Sequence, residues 1–446
     1  MKISLKDNRG VPVSTTNLKS LERLEQACDL MNGYFNDPFA LIDEALAEDP
    51  GFVMGHCFRA AFMATATDKT FLPEVRKSVE AAEALAGKAN DRERGHIAGA
   101  RAWLESDYDR VAEHYQRVLI GHPRDLMALQ LAHLRDFLTG QAMMLRDRPA
   151  RTLHAWDESV PGYNYVLGMQ AFGLEESGDY ARAEERGRQA VALQPRDSWA
   201  VHAVAHVLEM QNRTAEGIDW INKGSDYWSG DNGFAYHNWW HLSLFHLDRG
   251  NTAEVLALYD RLIRNTASTM PMELIDAAAL LWRLHLMGVG VGQRWKEVAD
   301  KYEATVEDGH YAFNDFHAMM AFAADGRTAA SERLLATLAR RAGATDWNGV
   351  ATRTVGLPLC QAIDAFAKGR YAQAVEILLQ VRPVAYRFGG SHAQRDILSL
   401  TLIEAALRGG QGRVAQAIAG ERTELKPLSG VNRLLAQRAA GLAKAA

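Results

Sequence analysis

The sequence predicts an all-α protein, and three observations carry that expectation. Only 12 prolines occur in 446 residues, so helix interiors meet few breakers. Alanine and leucine are abundant, whereas the alternating β-branched runs that mark strands are scarce. With 48% hydrophobic and 24% charged residues, the chain can bury a large core, which excludes a disordered polymer.

The helices repeat. Residues 164–195 read as helix, Gly-Asp-Tyr turn, helix and proline stop. With Asn164 as position 1, Leu167, Ala171 and Leu174 fall at positions 4, 8 and 11, Gly178 at the turn, Ala183 at 20, Ala190 at 27 and Pro195 at 32. This pattern resembles the tetratricopeptide unit. A second unit starts 34 residues later, at Ser198, with Val201, Ala205 and Leu208 on its core stripe, Asn212 at the turn and Ile221 on its second helix. A third starts at Tyr236 with a turn at Gly250, and looser copies have turns at Gly326, Gly369 and Gly410. Upstream, 18–50 and 92–123 read as degenerate pairs. The expected architecture is a tetratricopeptide-like helical-repeat solenoid, a right-handed superhelix of antiparallel helix pairs. One continuous domain is expected over 18–446, because no Gly/Ser- or Pro-rich linker interrupts it. Residues 1–17 are expected to form an extended segment, with the apolar stretch around Val11–Val13 packing on the first helices.

Bulk chemistry narrows the function classes. Fifty Lys plus Arg against 55 Asp plus Glu leave a formal charge of −5, which disfavours nucleic acid and anionic membranes as partners. Cys28, Cys57 and Cys360 lie far apart without CxxC spacing, arguing against a disulfide framework or a cysteine zinc site. The first 17 residues lack the apolar core of a secretory signal. The most apolar later stretch, 275–292, is interrupted by Asp276, Arg283 and His285, so it does not read as a membrane span. A cytoplasmic location is the expectation. The phrase GVGVGQR at 288–294 has no strand before it and reads as an inter-helix loop, and neither a GxSxG elbow nor a Walker phrase occurs.

Histidines carry the functional signal. If positions 4, 7, 8 and 11 form the core stripe, positions 2, 5, 6, 9 and 12 turn toward a groove. His202, His206 and Glu209 then form an i, i+4, i+7 row at positions 5, 9 and 12, and His237 and His241 fall at positions 2 and 6 of the next repeat. These five are the expected catalytic residues. Trp240, His317, His392, Arg395 and Asp396 are the expected substrate contacts, and the aromatic insertion with Tyr227, Trp228, Phe234 and Tyr236 is a candidate lid. Imidazoles four apart on a helix can ligate a divalent metal, although no HExxH phrase occurs. The metal-free alternative is acid–base chemistry by Glu209 and a histidine, with Arg395 holding an anionic group. For any single histidine, a hydrogen-bonded structural role is the simpler account.

The phrases VHAVAHVLEMQNR, AYHNWWHLSLFHLDRG, NDFHAMMAF and SHAQRD resemble those of the tetratricopeptide repeat protein 38 family. The resemblance spans most of the chain and implies the same helical-repeat fold, but it implies no activity. Two functions therefore stand side by side: a hydrolase- or lyase-like enzyme acting on a small molecule, or a non-catalytic scaffold binding a peptide or protein. His, Glu and aromatics at the groove positions, where peptide clamps display Lys, Arg and Asn, favour the enzyme. Assembly into a homo-oligomer is compatible with either.

Overall fold

A computed structural model describes residues 5–445. Its contacts divide the chain into two compact units, one comprising 1–204 and 224–235 and the other 205–223 and 236–446, of which residues 5–445 are described. The sequence reading expected one continuous domain. The division falls inside the helix Ser198–Met210, which explains why no linker composition announces it.

The first unit begins with a short hairpin, Leu5–Lys6 paired antiparallel with Pro12–Val13, the extended segment expected there. Val11 and Val13 are buried. Helix pairs follow from Leu18: Leu18–Gly33 with Pro38–Glu48, Val53–Thr65 with Leu72–Ala84, Asp91–Leu104 with Tyr108–Gly121, Leu126–Leu138 with Ala142–Thr152, and Tyr163–Glu176 with Tyr180–Leu193. The last of these is the unit read most clearly from sequence. Side chains start the helices where expected: Asn90 and Glu93 form a reciprocal capping box, and Asp179 accepts from the Arg182 N–H.

One contact in this unit is unusually close. Pro149 lies inside the helix Ala142–Thr152 and has no N–H to offer the Leu145 carbonyl. Gly173 of the helix Tyr163–Glu176 sits against that same stretch, and a β-carbon there would collide with the Leu145 carbonyl group and the Arg146 nitrogen.

The second unit continues the repeat with Ala235–Asp248 and Thr252–Leu258, Pro271–Leu286 and Arg294–Glu303, Ala312–Ala324 and Thr328–Arg341, Leu357–Ala367 and Tyr371–Val381, and His392–Arg408 and Gly412–Leu425, closed by Gly430–Ala445. The GVGVGQR phrase forms the expected loop. The turn residues read from the period, Gly178, Asn212, Gly250, Gly326, Gly369 and Gly410, all adopt positive φ between 56° and 82°. A left-handed residue ends the first helix of each pair and sends the chain back antiparallel. The fold is all-α with tetratricopeptide-like helix pairs. Among the described residues no helix is long and apolar enough to cross a membrane, and the three cysteines are free and buried.

Candidate functional site

The two central helices set the register of the histidines. Val207 and Leu208 point into the core of Ser198–Met210, and Leu242 and Phe245 do so in Ala235–Asp248. This leaves His206 and His241 on facing surfaces, with ring centroids 4.4 Å apart. His237 joins them, its ring 5.0 Å from that of His241. His206, His237 and His241 each offer a ring nitrogen within 4.8 Å of the other two. The expected convergence of neighbouring first helices is therefore present in the second unit. The rings are buried, with His206 and His241 at 0% exposure, and do not line an open groove as the register suggested. His202 lies one turn earlier on the helix of His206, in the first unit, among Phe172 at 5.3 Å, Trp199 at 4.9 Å and Phe234 at 5.2 Å.

Carboxylates stand behind the imidazoles. His237 Nδ1 lies 2.6 Å from Asp276 Oδ2, and since a carboxylate only accepts, Nδ1 is the donor and Nε2 is the nitrogen turned away from Asp276. Glu209 reaches His241 Nδ1 at 3.5 Å with one oxygen and Lys426 Nζ at 2.8 Å with the other. Burial, then the crowding of His206 and His237, pushes His241 down to about 3 against the pull of Glu209, so this ring is neutral near pH 7. Burial would raise Glu209, but the Lys426 ammonium, helped by His241 and His206, holds it well below the usual carboxylate range.

The Lys426 pair changes what is expected of Glu209. Sequence alone suggests that Glu209→Gln would spare the fold. The structure gives Glu209 a largely buried ammonium to neutralise, so the substitution should cost on the order of 3 kcal/mol of stability. Glu209→Gln combined with Lys426→Met should recover most of that loss, because no buried charge is left alone. Denaturant titration of the single and double variants checks this. Equal stability of Glu209→Gln and the parent would contradict it.

Of the remaining expected contacts, His392, Arg395 and Asp396 line one cavity of the second unit, and Trp240 and His317 lie apart from it. Trp240 is fully buried and stacked on His237 at 5.4 Å, so it packs the cluster and presents no face to a groove. His317 donates from Nδ1 to the Phe313 carbonyl at 2.8 Å and sits among Phe313 and Phe316, the structural role weighed for single histidines. Arg395 binds the carbonyls of Gly389 and Gly390 through Nη1, just before its own helix. His392 is exposed. Asp396 pairs with Arg422. The aromatic insertion packs as well: Trp228 is fully buried and Phe234 stacks on Tyr34 at 4.8 Å.

Sequence reasoning missed Asp276, Arg283, Arg422 and Lys426. Asp276 and Arg283 did leave a signal, as charges seven residues apart on one face of an otherwise apolar helix, but they read only as interruptions of a hydrophobic run.

These features define a class: an all-helical repeat protein with a buried histidine–carboxylate cluster. No family model matches the chain. Among solved structures it is similar to a chain of the human IFIT1 dimer with m7Gppp-AAAA, at 14% identity and TM-score 0.40, covering 95% of each chain. It is also similar to a chain of Naa15/Naa10 bound to HypK-THB, at 14% identity and TM-score 0.28, covering 91% of this chain and 63% of that one.

Proposed function

We propose that the chain holds one divalent transition-metal ion at His206, His237 and His241 and acts through it on a small molecule, in a hydrolytic or lyase-like step. The observation that carries this reading is the convergence of three imidazoles with Asp276 oriented behind one of them. A carboxylate on Nδ1 fixes the tautomer and aim of a ligating histidine and raises its basicity. Metal–nitrogen bonds of about 2.0–2.1 Å need only a small inward movement from nitrogens already within 4.8 Å. Nitrogen donors backed by carboxylates suit zinc and its neighbours better than magnesium or calcium.

When bound, such an ion supplies Lewis acidity and lowers the pKa of a coordinated water. The chain's own residues do the rest: Asp276 holds His237, Glu209 couples His241 to Lys426, and the packed Trp240 keeps water from the far side of His237. The phrases shared with the tetratricopeptide repeat protein 38 family contain all three proposed ligands, so the cluster is the feature that family resemblance would extend.

Chelator-treated protein titrated with Zn2+ tests the reading. Binding should saturate at one ion per chain and raise the melting temperature, and His206→Ala or His241→Ala should lose both effects. Asp276→Asn should weaken affinity about 10- to 100-fold. Absence of stoichiometric binding, or binding unchanged in the histidine variants, defeats it.

A further inference from the structure

The second charge of the Pro271–Leu286 helix, Arg283, has no carboxylate partner among the described residues. It is 3% exposed. Its Nη1 donates to the Ala279 carbonyl at 3.0 Å and its Nη2 to the Ala393 carbonyl at 2.6 Å. The guanidinium also lies 5.2 Å from the centre of the Trp240 ring. Carbonyl dipoles and a π face solvate a cation, but they do not neutralise it.

Arg283 borders a cavity of about 60 Å3 within the second unit, whose wall also includes Glu209, Asp248, Asp396, Arg422 and Lys426. The other two cations there are ion-paired, Lys426 with Glu209 at 2.8 Å and Arg422 with Asp396. Asp248, the third carboxylate, has no ion pair among the described residues but accepts from Asn212 Nδ2 at 2.9 Å, from the Ser429 hydroxyl and from the Gly430 N–H. Arg283 is the cation of this wall without an ion pair, and its two hydrogen bonds to carbonyls use two of its five N–H groups.

We propose that this cavity binds the carboxylate of a small organic acid, with Arg283 as its counter-charge. A guanidinium with free donor positions matches a carboxylate in shape and charge. A monoanion offers Arg283 the ion pair it lacks while bringing less buried charge than a phosphate dianion would. The volume admits several waters, each needing about 10–15 Å3, and so fits an acid of a few carbons whose chain meets Leu244, Leu400 and Val431. Glu209 joins this cavity to the histidine cluster, since it touches both His241 and Lys426. That the acid is the substrate rests on the metal reading above. That it binds rests on Arg283.

The test uses the full chain, with and without Zn2+, titrated calorimetrically with acetate, propionate and inorganic phosphate at matched ionic strength. Saturable carboxylate binding is expected in both metal states, weakened roughly tenfold or more by Arg283→Met and less by Arg283→Lys. Carboxylate binding without stoichiometric metal would sink the metal reading and leave this inference standing. Phosphate binding more tightly than carboxylate, or carboxylate binding indifferent to both substitutions, overturns it. A crystal of the unsubstituted protein soaked in propionate decides independently of whether the variants fold. Difference density for the acid, with its carboxylate beside Arg283, is expected, and density only elsewhere, or none, contradicts the assignment.

Discussion

Gly173→Ala should destabilise the protein by about 3 kcal/mol or more. In an ordinary helix interior the same change would be favourable by up to about 1 kcal/mol, because alanine loses less backbone entropy. Here the new methyl would meet the Leu145 carbonyl and the Arg146 nitrogen of the neighbouring helix. Backbone cannot rotate out of the way as a side chain can, so the two helices must separate and forfeit the packing of Leu145, Phe172 and Leu174, all buried. Gly178→Ala is the useful contrast. It adopts φ of 82° with open space around the missing β-carbon, and should lose only about 1–2 kcal/mol of conformational preference. Denaturant unfolding of the two variants ranks them. A Gly173→Ala protein as stable as its parent would mean that the helices do not approach this closely.

A buried histidine in each unit should cost stability in mild acid. His133, in the first, is buried with no hydrogen-bond partner for either ring nitrogen among the described residues, and burial together with Arg148 pushes it down to about 3. His317, in the second, is pushed down to about 3 by burial and by Arg283, against the hydrogen bond to Phe313. Their unfolded-state values lie near 6.5. Between about pH 6.5 and 3 the unfolded chain takes up protons that the folded chain refuses, so stability is complete above that window and falls as pH drops through it. Each ring contributes about 1.4 kcal/mol per pH unit. His241 adds in the same sense, whereas Asp197 and Asp315, raised to about 7 by burial, bind protons in the folded chain and act in the opposite sense, so each ring is read from the difference between parent and variant. Denaturant melts between pH 7.5 and 4.5 measure it. His133→Leu and His317→Asn should each lower the slope by about 1.4 kcal/mol per pH unit relative to the parent, and an unchanged slope in both would show that these rings do protonate in the folded state.

The fold was legible because its signals are local and periodic. Positions 4, 8 and 11 bury, the turn residues go left-handed, and the 34-residue step from Asn164 to Ser198 places successive first helices side by side. The same periodicity brought His206, His237 and His241 together on paper. What supports them was not legible, since Glu209 and Lys426 are separated by 217 residues and nothing near either one announces the other. Trp240 was misjudged because a position beside the core stripe reads as groove-facing, whereas neighbouring helices close over it. The cation that borders the cavity is Arg283, which a hydropathy reading treats only as a blemish in an apolar helix.

The central claim is that three imidazoles of the second unit hold one metal ion. Zinc K-edge absorption on the full chain, loaded with one equivalent of Zn2+, tests it most directly. The account predicts a first shell dominated by imidazole nitrogens at about 2.0 Å, with the multiple-scattering signature of the rings diminished in step as His206, His237 and His241 are replaced by alanine. A spectrum of oxygen ligands alone, or one that stays the same when all three histidines are gone, would contradict it.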